Sequence, residues 1–311
     1  MLSRRNIRIK VMQQLYAHTR DESLKYDEVM VRYRRSVTRS YALYLLNLWQ
    51  LIRVVNNARK DASNKQAKLR PTEEDLRFTS KLCDNPVLQS LSKNFGFLEE
   101  IKIYKLENRI DLDSSRRLYM DFAKEADYQA YLDQEDSSTE DHIDILLKLY
   151  KFMLQDEVFN DAMEDFDPSW IDDASLIAGS IKKTLKALPA SEDFYKEYYP
   201  SDEAAREFGE VLLARVFEHD EALFQIIEPA LKNWDAERVA VLDMILLKMA
   251  LTEMLYFPSI PTKVTLNEFV EISKLYSTDK SKDFVNGILD RLMKQLEKEG
   301  KIKKEGRGLM E

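Results

Sequence analysis

Seven glycines and eight prolines are all that this chain of 311 residues contains, well below average usage. A chain so poor in turn formers makes few sharp reversals and favours long helices over a sheet of short strands. Helical periodicity agrees wherever the sequence is apolar. The spacing of Ile7, Val11 and Leu15 predicts a first helix from about Ser3 to Thr19. The run YALYLLNLWQLI (41–52) predicts a helix over 41–56 buried on most sides. That run carries Asn47 and Gln50 and stops at Arg53, short of the roughly 20 apolar residues a membrane span requires. With 44% apolar residues the chain can bury a sizeable core, and its length fits one large domain or two. The single cysteine, Cys83, excludes a disulfide framework and suits a reducing cytoplasm.

Further elements follow from breakers and caps. Pro71 interrupts the polar stretch 57–75, and Thr72 ahead of Glu73-Glu74-Asp75 marks a helix start, with two to four helices expected in 76–134. DQEDSSTEDHID (133–144) reads as an acidic loop leading to an amphipathic helix with Ile143, Leu146, Leu147, Tyr150 and Leu154. Pro168 is expected to open a helix reaching Leu188, and PASEDFYKEYYPSD (189–202) to connect subdomains. Residues 203–231 read as a helix pair broken near Glu218–Asp220. Asp235 is expected to cap the next helix, with Trp234 stapled to Val239; PSIP stops that helix after Phe257. Thr265 and Glu268 have capping-box spacing for a helix ending near Tyr276, and Asp279 or Ser281 is the expected cap of the last helix, 282–299. Gly287 lies inside that helix. A mid-helix glycine costs ~1 kcal/mol against alanine, which predicts close contact with a neighbouring backbone. The expected fold class is all-α.

The search for catalytic chemistry is mostly empty. His18, His142 and His219 are far apart in sequence and none has a histidine or cysteine at ligand spacing. The glycines at 96, 179, 209 and 287 are isolated, so no phosphate loop is legible. The many acids read as solvated helix faces. No catalytic residue, metal or cofactor is expected.

Charge is the informative feature. The chain has a net charge of -8, yet residues 1–40 hold ten Lys or Arg against four acids, and 152–181 hold no basic residue. Arg4, Arg5 and Arg8 fall in the first turns of the predicted helix. The helix dipole is positive there, and each such charge costs ~0.3–1 kcal/mol. The arginine fork suits phosphate oxygens, and Tyr16 further along can stack an unpaired base. An Arg-rich targeting peptide and a merely solvated helix face compete with this reading. A single serine, Ser3, in the first twenty residues and the apolar stripe through Leu15 count against the targeting peptide.

SRRNIRIKVMQQLYA at the start resembles the opening helix of the NusB transcription antitermination family. NWDAERVAVLDMILLKMALTEML, PSIPTKVTLNEFVEISKLYS and SKDFVNGILDRL resemble that family's later segments, in order. The resemblance covers about 1–20 and 203–296, and implies a double helical bundle, with 203–299 as its main part. It further implies non-catalytic binding of boxA-like single-stranded RNA, together with the ribosomal protein NusE, in an RNA polymerase antitermination complex. The family's RNA contacts fall on Arg4, Arg5, Arg8, Tyr16, Asp243 and Phe284. Tyr276-Ser277 stands where the family usually has Phe-Gly; Lys280, where an acid is common, and Lys282 favour phosphate. Residues 21–202 separate segments that the family usually joins by a short connection, and read as an inserted helical region; 300–311 read as a flexible tail. RYRRSVTR (32–39) either extends the RNA track or is a solvated face. A protein adaptor without RNA binding, and an RNA-binding domain serving ribosomal RNA processing, are the alternatives. Ribosomal RNA methyltransferases with a similar leading domain would need cofactor glycines and reactive cysteines that this chain lacks.

Overall fold

Ser3 opens the first helix, α1 (Arg4–Arg20), through a capping box: its hydroxyl accepts from the Asn6 amide, and the Asn6 side chain accepts from the Ser3 amide. The computed structural model describes residues 2–21, 23–231, 239–278 and 280–309. Within them the protein is all-α, without a strand. No helix among them is long and apolar enough to cross a membrane. The expectations on Trp234, Asp235 and Asp279 lie outside the described residues.

Helix α2 (Tyr26–Gln66) runs for 41 residues. The expected helix over 41–56 is its apolar middle. Val29, Tyr33 and Val37 extend a buried stripe at spacing four ahead of it, and with no Gly or Pro between Tyr26 and Gln66 nothing stops the backbone. The chain divides into two compact units, a middle unit (Thr38–Tyr199) and a terminal unit (Leu2–Val37 with Pro200–Glu311).

In the middle unit, α3 (Glu73–Arg77), α4 (Pro86–Ser92), α5 (Phe95–Ile103), α6 (Leu112–Phe122) and α7 (Ala126–Asp133) follow α2. They are capped by Thr72, Asn85, Asn94 and Asp111 side chains in the first four cases. Then come α8 (Thr139–Leu154), α9 (Glu157–Phe166) and α10 (Trp170–Lys186). The expected loop over 133–144 is shorter, because Ser138 and Asp141 form a capping box that starts α8 inside it. Pro168 lies outside α10, whose N-cap is Ser169. The core joins α2 aliphatics such as Leu45, Leu48 and Val55 to a set of tyrosines including Tyr44, Tyr119, Tyr128 and Tyr150. The segment expected to be a connection supplies Tyr195 and Tyr198 to this core.

In the terminal unit, a π-helical segment (Glu203–Glu210) leads into α11 (Val211–Glu218) and α12 (Asp220–Ile227), with His219 at the break. The last three helices are α13 (Val241–Tyr256), α14 (Thr262–Tyr276) and α15 (Ser281–Lys298). Helix α13 is the axis, buried almost continuously from Ile245 to Met254 and packed by α1, α11, α12, α14 and α15. A helix apolar all round has to sit at the centre of its bundle. Ile7, Val11 and Leu15 of α1 are buried in this unit, as their spacing predicts.

Two glycine and cap expectations are overturned. Thr265 is not an N-cap: Pro261 precedes the first turn of α14, and Thr265 is buried one turn inside. Gly287 has open space around it, and a Cβ placed there would meet nothing within 4 Å. The close approach is instead at Gly209, where a Cβ would lie 1.8 Å from the Tyr33 hydroxyl. That hydroxyl donates to the Ala205 carbonyl at 2.8 Å. The tail also packs: Lys304 donates to the Phe257 carbonyl (2.9 Å) at the end of α13, and the Glu305 amide to that of Pro258 (3.0 Å).

Candidate nucleic-acid interface

Arg4, Arg5 and Arg8 of α1 point to three different acids of the terminal unit. Arg8 is 3% exposed and forks onto Glu253 of α13 through Nε (2.7 Å) and Nη2 (2.8 Å). Glu253 is wholly buried, and the Thr265 hydroxyl donates to its Oε1 at 2.7 Å. The Arg8 guanidinium also lies over the Phe208 ring at 5.1 Å. Sequence alone points to Arg8 as a phosphate ligand; its fork is instead committed inside the bundle. Burial leaves no donor facing solvent for an external anion.

Arg5 forks onto Glu268 of α14 at 2.8 and 2.7 Å, with its side chain about half exposed. The Arg5 hydrogen bonds hold the Glu268 carboxyl below its ordinary range. Arg4 makes one bond to Glu203, at 3.0 Å between two exposed side chains, a pairing that contributes little and opens readily. Three arginines set against the helix dipole therefore do not by themselves require an external anion. They have carboxylate partners hundreds of residues away in sequence.

Asp243, in the first turn of α13, is also buried. It accepts from the hydroxyls of Ser277 and Ser281, each at 2.7 Å, and Thr278 Oγ1 lies 2.9 Å from Ser281 Oγ. One carboxylate thus fixes the turn between α14 and α15. Its position under that turn makes it a positioning residue rather than a surface contact.

Above it lies a groove of about 580 Å³. Met12, Gln13, Tyr16 and Arg20 of α1 form one side, Ala240 with Val241 and Leu242 at the start of α13 form the floor, and Tyr276, Ser277 and Thr278 close the other. Tyr16 is 41% exposed and Val241 42%, so both offer apolar surface to a ligand. The Arg20 guanidinium sits 5.9 Å from the Tyr16 ring. Of the sequence candidates, Tyr16 and Tyr276 are brought together here, with Asp243 beneath. Lys280 and Lys282 are exposed at the start of α15 and Phe284 is half-buried there; none of the three lines the groove. Arg4, Arg5 and Arg8 do not line it either. Sequence reasoning misses Arg20 and Gln13; Arg20 stands four residues after Tyr16, a spacing that puts both on one helix face. Of the second basic cluster, Arg34 forks onto Glu210 at 2.9 and 2.7 Å. Among the described residues no group of acids, histidines and cysteines is arranged to hold a metal ion.

The model of the NusB family matches residues 176–294. The transcription antitermination protein NusB of Salinibacter ruber is 41% identical over 109 residues, covering 35% of this chain and 68% of that protein. The chain belongs to the NusB family. The protein of the same name from Trichlorobacter lovleyi is 39% identical over 116 residues, covering 37% of this chain and 77% of its own length. That of Chloroherpeton thalassium is 39% identical over 111 residues, or 36% and 53%, about half of that protein's length. No solved structure matches the chain.

Proposed function

We infer that the chain is a non-catalytic transcription antitermination factor of the cytoplasm. It binds boxA-like single-stranded RNA, with the ribosomal protein NusE, as part of the complex that carries RNA polymerase through terminators. The observation that carries this reading is the groove: two tyrosines across an apolar floor, with Arg20 at its edge. Unpaired bases are read by stacking on such rings, each stacked base contributing roughly 1–3 kcal/mol. Tyr16 and Tyr276 are assigned the bases. Arg4, Arg5, Arg20, Lys280 and Lys282 supply positive charge for phosphates, and Phe284 flanks them at the start of α15. Arg8 and Asp243 act from beneath, by holding α1 and the 277–281 turn in place.

The NusB-like core in this reading comprises α1 and the part of the chain beyond residue 203, and the middle unit is an insertion into it. Binding of a labelled boxA-like RNA by fluorescence anisotropy, with and without NusE, tests the proposal. Saturable binding strengthened by NusE is expected. Absence of affinity under both conditions would favour the helical-adaptor alternative.

A further inference from the structure

The middle unit is acidic, with 22 basic and 30 acidic residues over 38–199, yet one cleft in it has the opposite sign. Lys60, Asp61 and Lys65 on the last turns of α2, with Lys68 just past its end, form one wall; Arg116 and Tyr119 of α6 stand on the other. The enclosed space is about 230 Å³. The opposite face of the same turns of α2 is buried through Val54, Val55, Ala58 and Ala62. Amphipathicity therefore accounts for polar residues here but not for their shared charge.

The internal partners leave a surplus. Lys65 pairs with Asp61 at 2.9 Å, the Tyr119 hydroxyl donates to the same carboxylate at 3.2 Å, and Lys68 pairs with Asp75 at 2.6 Å. The one acid of the cleft is thus satisfied from within. Lys60 and Arg116 are exposed and form no ion pair with any described residue. Helix electrostatics explain Lys65 and Lys68, which sit where the α2 dipole is negative. Lys60 lies more than a turn before that end, and Arg116 is in the middle of α6.

We propose that this cleft binds a phosphate group, with the Arg116 guanidinium and the Lys60 ammonium as direct ligands and Lys65 and Lys68 as flanking charge. A planar fork opposite a point charge suits the oxygens of a phosphate mono- or diester. Two sources carry that chemistry, a free phosphorylated small molecule and the backbone of a nucleic-acid strand. The proposal stands apart from the tyrosine groove and does not require it.

The test uses the full chain and a Lys60→Gln/Arg116→Gln variant, both first shown to melt alike. Calorimetric titration with inorganic pyrophosphate is expected to show saturable binding that the variant weakens at least about tenfold. The charge-preserving Lys60→Arg/Arg116→Lys variant is expected to retain binding. In parallel, anisotropy of a 20-nucleotide uridine RNA is measured against salt. If a strand is the natural source, the Gln variant lowers the magnitude of the salt slope by about 0.7, the contribution of one neutralised phosphate on a single strand. A pyrophosphate effect without an RNA effect supports the site and assigns it to a free phosphorylated ligand; an RNA effect alone supports it with the strand as source. Wild type and Gln variant behaving alike toward both probes would overturn the proposal. A Tyr16→Ala/Tyr276→Ala variant separates the two sites, because it alters only the groove.

Discussion

The two units solve the problem of buried polar groups in different ways. The terminal unit buries full charges and ties helices distant in sequence together with them: Arg8 to Glu253, and Asp243 to the 277–281 turn. The middle unit relies mainly on neutral partners inside an aromatic core: Tyr150 donates to Asn47 Oδ1 at 2.9 Å, Asn47 donates to the Leu43 carbonyl at 2.8 Å, and Tyr44 meets Thr184 at 2.8 Å. Charge pairs in a low-dielectric interior demand one geometry and tolerate few others. Neutral hydroxyls and amides bury at smaller cost and can be lost one at a time. The terminal unit's polar core is thereby committed to holding α1 and the groove in place.

The largest test of this contrast is Arg8→Ala. It leaves Glu253 buried without its ion pair, and a loss of about 3–5 kcal/mol is expected for a buried pair broken on one side. Denaturant unfolding of the full chain measures it. If Arg8→Ala costs no more than an exposed arginine, the pair is not structural. The counterpart in the middle unit is Asn47→Ala, which removes the acceptor of a buried tyrosine hydroxyl. A smaller loss, about 1–3 kcal/mol, is expected there.

A third substitution goes the other way. Gly287→Ala meets open space and an ordinary helical backbone, so the helix should gain up to about 1 kcal/mol. Destabilisation there would restore the expectation of a close neighbour. The smallest effect concerns pH. Burial lowers the Lys304 ammonium to about 8 from its ordinary 10.5. The unfolded chain then binds more protons between those values, so this group makes stability rise as pH goes from 8 to 10.5. Lys304→Gln should flatten that slope, measured as the pH dependence of unfolding. At the acid end the slope has the same sign, because folding lowers the pKa there too. Glu268, held low by Arg5, contributes stability above the unfolded carboxyl range and loses it as pH falls through its lowered folded value.

What sequence makes visible follows from how local each signal is. The apolar stripe of α1, the break at His219, the start of α3 at Thr72 and the axis α13 all depend on neighbours within a few turns, and they are legible. The partners of Arg4, Arg5 and Arg8 are not, because Glu203, Glu268 and Glu253 lie 199, 263 and 245 positions away. A basic first turn looks the same in sequence whether it faces phosphate or a carboxylate. Thr265 and Glu268 show the same limit. Their spacing suits a capping box, but Pro261 starts α14 earlier and hands both side chains to other helices. For the groove, Tyr16 is legible from the helix face and Tyr276 from the family resemblance. Arg20 and Val241 emerge only once α1, α13 and α14 are packed together.

The most direct measurement is the affinity of boxA-like RNA, with NusE present, for wild type and for Tyr16→Ala/Tyr276→Ala. Loss of two stacking rings at roughly 1–3 kcal/mol per base predicts at least about a tenfold weaker complex, with thermal melting little changed. Equal affinity in a folded double variant would contradict the assignment of the groove to RNA.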